Sequence, residues 1–309
     1  MNIAFFGASS QIAKGLIKKF SKSKTNKLYF FVRNKESFAI WLVEKKLSFE
    51  QQQIKTYDEL SSALNIDLFI NCIGAGDPAK AVKMSSTIVS VTQQYDEQVL
   101  EYLALNPSTK YIFLSSGAAY GNIFSAPPED YLPTSLDMKS TKPSDMYSIS
   151  KIKAELAHRA KPQYSIMDIR IFSYFDSETS LNSRFFLTDA LRSIQEKKIF
   201  LTSNQNIARD YIGADDLYQL ILKLTSRDNL NTVVDAYSLG PIEKFSILEM
   251  LKKNFNLRYE FTESEVGLNA SGSKDHYFSK NYCAKNYGYE PSLSSAGLIL
   301  NVARTLLSR

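Results

Sequence analysis

Tyr147-Ser148-Ile149-Ser150-Lys151 is the stretch best placed to do chemistry, because Tyr147 alone among the 18 Tyr has a Lys four residues on. The run from Tyr147 to Ala160 holds good helix formers (Lys151, Lys153, Ala154, Glu155, Leu156, Ala157) and no Gly or Pro before Pro162. On a helix, positions i and i+4 share a face, so the phenol and the ammonium stand side by side. An ammonium beside a phenol favours the phenolate and lowers its pKa from about 10. Tyr147 is therefore expected to exchange a proton near neutral pH. The pair alone is weak, since a Tyr and a Lys one turn apart more often form a solvated helix edge.

The elements that must position this pair read as alternating strands and helices. Short apolar runs at 2–6 (NIAFF), 28–32 (LYFFV), 54–57, 68–73 (LFINCI), 111–114 (YIFL) and 166–172 (IMDIRIF) have the marks of buried parallel strands. Helical patterns lie between them: to about Phe20, over 37–46, a short one over 59–64, a long one over 84–105, and the helix of Tyr147. Such alternation implies βαβ units and a parallel sheet covered on both faces. The segment 122–145 carries Pro127, Pro128, Pro133 and Pro143 and reads as a functional loop. Beyond Phe172 the alternation loosens. Helices are expected over 185–195, 215–225, 246–254 and 294–307, with strands at 199–202, 232–237 and 259–262.

The first strand runs into Gly7-Ala8-Ser9-Ser10-Gln11-Ile12-Ala13-Lys14-Gly15, small residues opening a helix. Helix N-terminal N–H groups and the dipole favour an anion there, and small residues admit a pyrophosphate. Only Gly7 keeps a glycine of the G-x-x-G-x-x-G spacing; Ser10 and Ala13 fill the next two places and Gly15 is out of phase. An ordinary strand-to-helix turn is the alternative. After the second strand come Arg33, Asn34 and Lys35, with no acid for an adenosine ribose. An Arg there accommodates a 2′-phosphate, which favours NADP over NAD.

Composition narrows the classes. The chain has 309 residues, 44% hydrophobic and 22% charged, with net charge +5, and no basic block suggests nucleic acid. Cys72 and Cys283 cannot build a disulfide framework, and two His with two Cys argue against structural zinc. No apolar run reaches the roughly 18 residues needed to span a membrane. A strand beginning at Asn2 leaves no room for a signal peptide, so a reduced, cytoplasmic protein is expected.

Together these residues resemble the extended short-chain dehydrogenase/reductases, the branch containing nucleotide-sugar epimerases, dehydratases and reductases. The resemblance rests on Gly7-x-x-Ser10-x-x-Ala13, on Asn71-Cys72-Ile73-Gly74, and on Ser115-Ser116-Gly117-Ala118-Ala119-Tyr120-Gly121. It continues through Tyr147-x-x-x-Lys151, Arg209-Asp210-Tyr211-Ile212-Gly213-Ala214-Asp215-Asp216 and Tyr287-Gly288-Tyr289-Glu290-Pro291. It covers essentially the whole chain.

It implies an α/β fold: a Rossmann-like, doubly wound parallel sheet over 1–172, with a smaller α/β substrate-binding region over 173–309 that returns some segments to the sheet. It implies Ser116, Tyr147 and Lys151 as the catalytic set. Gly7, Ser9, Ser10, Gln11, Ile12, Arg33, Asn71 and Gly74 would join Tyr147 and Lys151 in holding the cofactor. Ser116, Ser173 and Arg209 would meet a nucleotide sugar, with Arg209 gripping its phosphates; the alternative for Arg209 is an ion pair with Asp210 or Asp215. Gly117 and Ala118 stand where the 4,6-dehydratases carry an Asp-Glu pair, which excludes that chemistry. NADPH-dependent reduction of a 4-keto sugar is the leading expectation. An NAD-dependent 4-epimerase and a non-catalytic nucleotide sensor are the alternatives. A homodimer through the long fourth helix and the Tyr147 helix is implied by analogy.

Overall fold

A computed structural model describes residues 1–74, 84, 87–121, 124–129, 145–262 and 275–308. Most of the expected 122–145 loop, with Pro133 and Pro143, lies outside the described residues. The elements in chain order are β1 (Asn2–Phe6), α1 (Gln11–Phe20), β2 (Lys27–Phe31), α2 (Lys35–Glu44), β3 (Ile54–Lys55), β4 (Leu68–Asn71), α3 (Ile88–Leu105), β5 (Lys110–Ser116), α4 (Met146–Arg159), β6 (Ile166–Ile171) and β7 (Ser173–Tyr174). The C-terminal part adds α5 (Phe186–Gln195), β8 (Ile199–Ser203), β9 (Ala208–Arg209), β10 (Tyr211–Ile212), α6 (Ala214–Thr225), β11 (Thr232–Asp235), β12 (Ile242–Glu243), α7 (Lys244–Phe255), β13 (Arg258–Thr262), β14 (His276–Tyr277) and α8 (Ser295–Leu307).

Seven strands form one parallel sheet in the order β11-β6-β5-β4-β1-β2-β3. The fold is α/β and Rossmann-like: the parallel sheet is what the alternation implied, and the Rossmann-like arrangement is what the resemblance implied. Alternating side chains feed two cores. Ile3 and Phe5 of β1 and Ile112 and Leu114 of β5 face α1, α2 and α6, packing with Leu16, Ile17, Phe20, Trp41, Leu217 and Leu220. Ala4, Phe6, Tyr111 and Phe113 face α3 and α4, meeting Val99, Leu103 and Ala154. A third core joins α5, α7 and α8 through Leu187, Leu191, Phe200, Leu251, Ile299 and Val302. Among the described residues no helix is long and apolar enough to cross a membrane.

The strand order reverses between β1 and β4, and in open α/β sheets ligands bind in the crevice beyond the carboxyl ends of the strands at such a point. The turns after β1 and β4 converge there. Gly7 takes φ +71, and a Cβ on it would stand 3.1 Å from the Cys72 carbonyl. Both the conformation and the approach call for glycine.

The expected helix over 59–64 is absent. A 3₁₀ turn over Tyr57–Glu59 takes its place, because Thr56 and Glu59 close a reciprocal cap: the Thr56 N–H donates to Glu59 Oε2 at 2.6 Å. The third strand accordingly stops at Lys55. The two-residue strands β7, β9, β10, β12 and β14 are too short to show a period and were not expected.

Gly15, out of phase as a phosphate glycine, is a packing glycine. A Cβ there would lie 2.3 Å from both Asp176 Oδ2 and Tyr174 Oη, a pair joined by a 2.7 Å hydrogen bond. Gly15→Ala gains about 1 kcal/mol of helix propensity but forces that buried pair apart. Overpacking of this kind costs about 1–3 kcal/mol, and loss of the Tyr174 hydrogen bond takes the partner from Asp176 Oδ2 while Oδ1 keeps the Glu178 N–H. Urea melts should show Gly15→Ala less stable than the parent; an unchanged or higher midpoint would contradict the packing.

Candidate active site

The helix α1 opens on Ser10, whose Oγ accepts from the Ala13 N–H at 3.3 Å. The Gly7 and Ala8 N–H groups donate to the Phe31 carbonyl at 3.1 and 3.2 Å, pinning the turn to β2. The N–H groups of Gln11 and Ile12 lie in the first helical turn, where no intrahelical acceptor exists. With Gly7 tight against Cys72, a small-residue turn leads into a helix N-terminus, and this cradle fits a pyrophosphate. Ser9 is exposed at the rim, whereas the Gln11 amide donates to Thr179 Oγ1. Asn71 is buried, its Nδ2 donating to Tyr111 Oη at 2.9 Å and its Oδ1 accepting from the Ile73 N–H at 2.9 Å. Its side chain thus shapes the backbone leading to Gly74. Gly74 is exposed, and a Cβ on it would come 3.7 Å from Lys151 Nζ.

Arg33 is exposed beside a groove of about 330 Å³ lined by Val32, Thr56, Tyr57, Asp58, Tyr95 and Gln98. Of its neighbours, Asn34 caps α2 by accepting from the Ser37 N–H at 2.8 Å. Lys35 pairs with Glu59 at 2.5 Å. Among the described residues no ion pair to Arg33 is found. Asp58 in the same groove is an acid that the reading of β2 alone overlooked.

Tyr147 and Lys151 share α4, but the expected pairing is corrected. Lys151 Nζ donates to the Leu114 carbonyl at 2.9 Å and lies 4.5 Å from the Phe113 ring centre, against 5.9 Å for Tyr147. Burial brings the Lys151 ammonium down to about 8, opposed by Asp96 and Glu155. The Tyr147 phenol is raised above its ordinary value by burial, with the Ser116 hydroxyl pulling the other way. In this state the phenol keeps its proton. Ser116 stands at the end of β5, 6% exposed, with its Oγ accepting from the Ala118 N–H at 3.2 Å. Gly117 leaves no room for a carboxylate: a Cβ there would lie 2.3 Å from the Phe172 ring.

Sequence reading missed Tyr277. Its phenol lies 3.2 Å from Ser116 Oγ, its ring is 5.3 Å from the Arg209 guanidinium, and it packs with Phe124 and Phe172. It rides on the two-residue β14, and nothing in its sequence neighbourhood marks it. Arg209 is in β9, beside β14, and burial lowers its pKa. The two acids offered as its partners are engaged elsewhere: Asp210 accepts from Ser238 and Ser295, and Asp215 pairs with Lys19. Ser173 in β7 sits opposite Tyr211 of β10, half-buried. One crevice therefore gathers the Gly7 turn, Gly74, Lys151, Tyr147, Ser116, Tyr277 and Arg209.

A dinucleotide-binding sheet with Ser, Tyr and Lys at its crevice defines a class of nicotinamide-dependent oxidoreductase-type enzymes. Residues 3–240 match the model of the NAD dependent epimerase/dehydratase family, and the chain belongs to that family. No curated protein sequence matches the chain. Among solved structures, the UDP-glucuronic acid 4-epimerase of Bacillus cereus, with UDP-glucuronic acid and NAD, is 16% identical at TM-score 0.80, covering 100% of this chain and 99% of that one. The UDP-N-acetylglucosamine 4-epimerase of Methanobrevibacter ruminantium M1, with UDP-N-acetylmuramic acid, is 13% identical at TM-score 0.79, covering 99% and 98%. The UDP-glucose 4-epimerase of Thermotoga maritima, with UDP-glucose, is 14% identical at TM-score 0.77, covering 100% and 99%. At these identities the likeness establishes the fold.

Proposed function

We propose that the protein reduces a 4-keto nucleotide sugar, with Tyr147 as proton donor and NADPH as cofactor. What supports this is the gathering of Ser116 at the end of β5 with Tyr147 and Lys151 of α4, where burial holds the Tyr147 phenol above its ordinary value against the pull of the Ser116 hydroxyl. A bound nicotinamide supplies the hydride. Ser116 hydrogen-bonds the reacting oxygen, and Tyr147 gives it a proton as negative charge develops there. Lys151, held on Leu114, presents its ammonium between Gly74 and the Tyr147 ring, where a nicotinamide ribose would lie. Arg209 would grip the sugar-nucleotide phosphates. Domain roles follow this division, with 1–172 holding the cofactor and 173–309 mainly the sugar nucleotide, in the cytoplasm.

NADP rests on Arg33, the cation at the β2 end that no neighbouring acid engages among the described residues. Arg33→Ala should weaken NADPH binding about tenfold, or 1.4 kcal/mol, and leave NADH binding unchanged. Equal loss for both cofactors would remove the 2′-phosphate contact.

A second reading, NAD-dependent 4-epimerisation, is supported by the near-complete coverage of the 4-epimerase structures. Steady-state assays separate the two. Net oxidation of NADPH by a UDP-4-keto-hexose supports reduction; interconversion of UDP-hexoses without net cofactor turnover supports epimerisation. We also propose a homodimer. A groove of about 420 Å³ runs between α3 and α4, lined in part by Val89, Leu100, Ala154 and Ala157. Sedimentation at micromolar concentration would check it.

A further inference from the structure

We propose that Asp235 is a positioning residue, clamping the turn after Ser116 to the strand that carries Tyr277. Asp235 ends β11 and is 1% exposed. Its Oδ2 accepts two hydrogen bonds: from Tyr120 Oη at 2.7 Å and from Ser279 Oγ at 2.5 Å. Tyr120 closes the 3₁₀ turn Gly117–Tyr120 that begins immediately after Ser116. Ser279 lies two residues after Tyr277, and its Oγ also accepts from the Asn281 N–H at 2.9 Å. Asn281 Nδ2 returns to Tyr120 Oη at 3.3 Å, closing a ring of contacts. One carboxylate oxygen thus fixes the two backbone segments whose side chains meet at the 3.2 Å Ser116–Tyr277 contact.

The clamp extends to the helix of Tyr147. The Arg170 guanidinium stacks 4.3 Å from the Tyr120 ring centre and binds Glu155 of α4 at 2.6 and 3.0 Å. Glu155 in turn accepts from Ser115 Oγ at 2.5 Å, next to Ser116. Burial pushes the Asp235 carboxyl up to about 6, with Arg170, Ser279 and Tyr120 opposing. Both Tyr120 and Ser279 donate to it, and hydrogen bonds accepted by a carboxylate are the stronger kind. Asp235 Oδ1 has no hydrogen-bond partner among the described residues, and the nearby Arg170 guanidinium offsets the cost of burying the carboxyl.

The inference rests on reading Ser116 and Tyr147 as the reacting groups, so its test includes a measurement that needs no substrate. The protein is labelled with 3-fluorotyrosine, and the ¹⁹F resonance lost in Tyr277→Phe is assigned to Tyr277. In Asp235→Ala that resonance should move; in Asp235→Asn, whose amide oxygen can accept, it should return toward its original place. If Asp235→Ala does not fold, Ser279→Ala should move the same resonance. A Tyr277 resonance unmoved in the folded variant overturns the proposal. Where turnover is measurable, Asp235→Ala should lower kcat about tenfold with NADPH affinity kept. It should add nothing in the Tyr277→Phe background, because the two act in one unit. Additive losses would mean a general structural role and would also overturn it.

Discussion

Tyr147→Phe will lower kcat by about a thousandfold, within the 10²–10⁴ range that a positioned proton donor contributes, and leave NADPH affinity unchanged. The substitution removes one oxygen and keeps the ring. Ser116 keeps its Ala118 N–H, Lys151 keeps the Leu114 carbonyl, and the Gly7 turn is untouched. Binding of the reacting oxygen survives in part, but no donor of the same reach remains on α4. Tyr277 tests the assignment from the other side. Its phenol is 3.2 Å from Ser116 Oγ, within hydrogen-bond reach. If Tyr277 were the donor, Tyr147→Phe would keep most of its rate. Steady-state kinetics with NADPH fluorescence titration separates kcat from cofactor affinity. A rate within twofold of the parent would remove Tyr147 from the mechanism.

His158→Leu will destabilise the fold by about 3–5 kcal/mol, the usual cost of taking one partner from a buried ion pair. His158 is 0% exposed between two carboxylates. Nδ1 is 2.7 Å from Asp168 Oδ1 and Nε2 is 2.9 Å from Asp96 Oδ1. Burial would push the imidazolium down, but the two aspartates outweigh it and hold its pKa at about 10. Leucine fills much of the volume and leaves both carboxylates with less countercharge. Asp168 retains Arg159 at 3.0 Å, and Asp96 retains only the neutral Tyr111 phenol at 2.7 Å among its described hydrogen-bond partners.

The pH dependence follows. His158 is raised above its ordinary value of 6.5, so its stabilisation is fully present below pH 6.5. It is lost as pH rises toward 10. The parent should lose this contribution across that window, and His158→Leu should show a flatter profile there. Thermal melts at both ends check it; a variant within about 1 kcal/mol of the parent would contradict a charged His158. Tyr111 also receives Asn71, so this cluster supports the backbone before Gly74.

The sheet was legible because buried parallel strands are continuous apolar runs: NIAFF, LYFF and LFIN each appear within a residue or two of their place. Ser116, Tyr147 and Lys151 were legible by position, and the fold brings them to one crevice. The electrostatics were not. Helical spacing put an ammonium beside the Tyr147 phenol, but the β5 carbonyl of Leu114 captures it, and burial then raises the phenol. The contacts of Tyr277 and Asp235 were invisible because their partners are remote in sequence: Ser116 lies 161 residues from Tyr277, and Tyr120 and Ser279 lie 115 and 44 residues from Asp235. Gly15 read as a misplaced phosphate glycine because only the tertiary contact with Tyr174 and Asp176 explains it.

The most direct measurement is calorimetric titration of the purified protein with NADPH and with NADH, after its absorbance has been checked for retained nucleotide. The account predicts that both reduced dinucleotides bind at the Gly7 crevice, NADPH about tenfold more tightly, with none retained. Binding of neither would mean that the turn from Gly7 to Ile12 holds no cofactor, and the enzyme reading would fall with it.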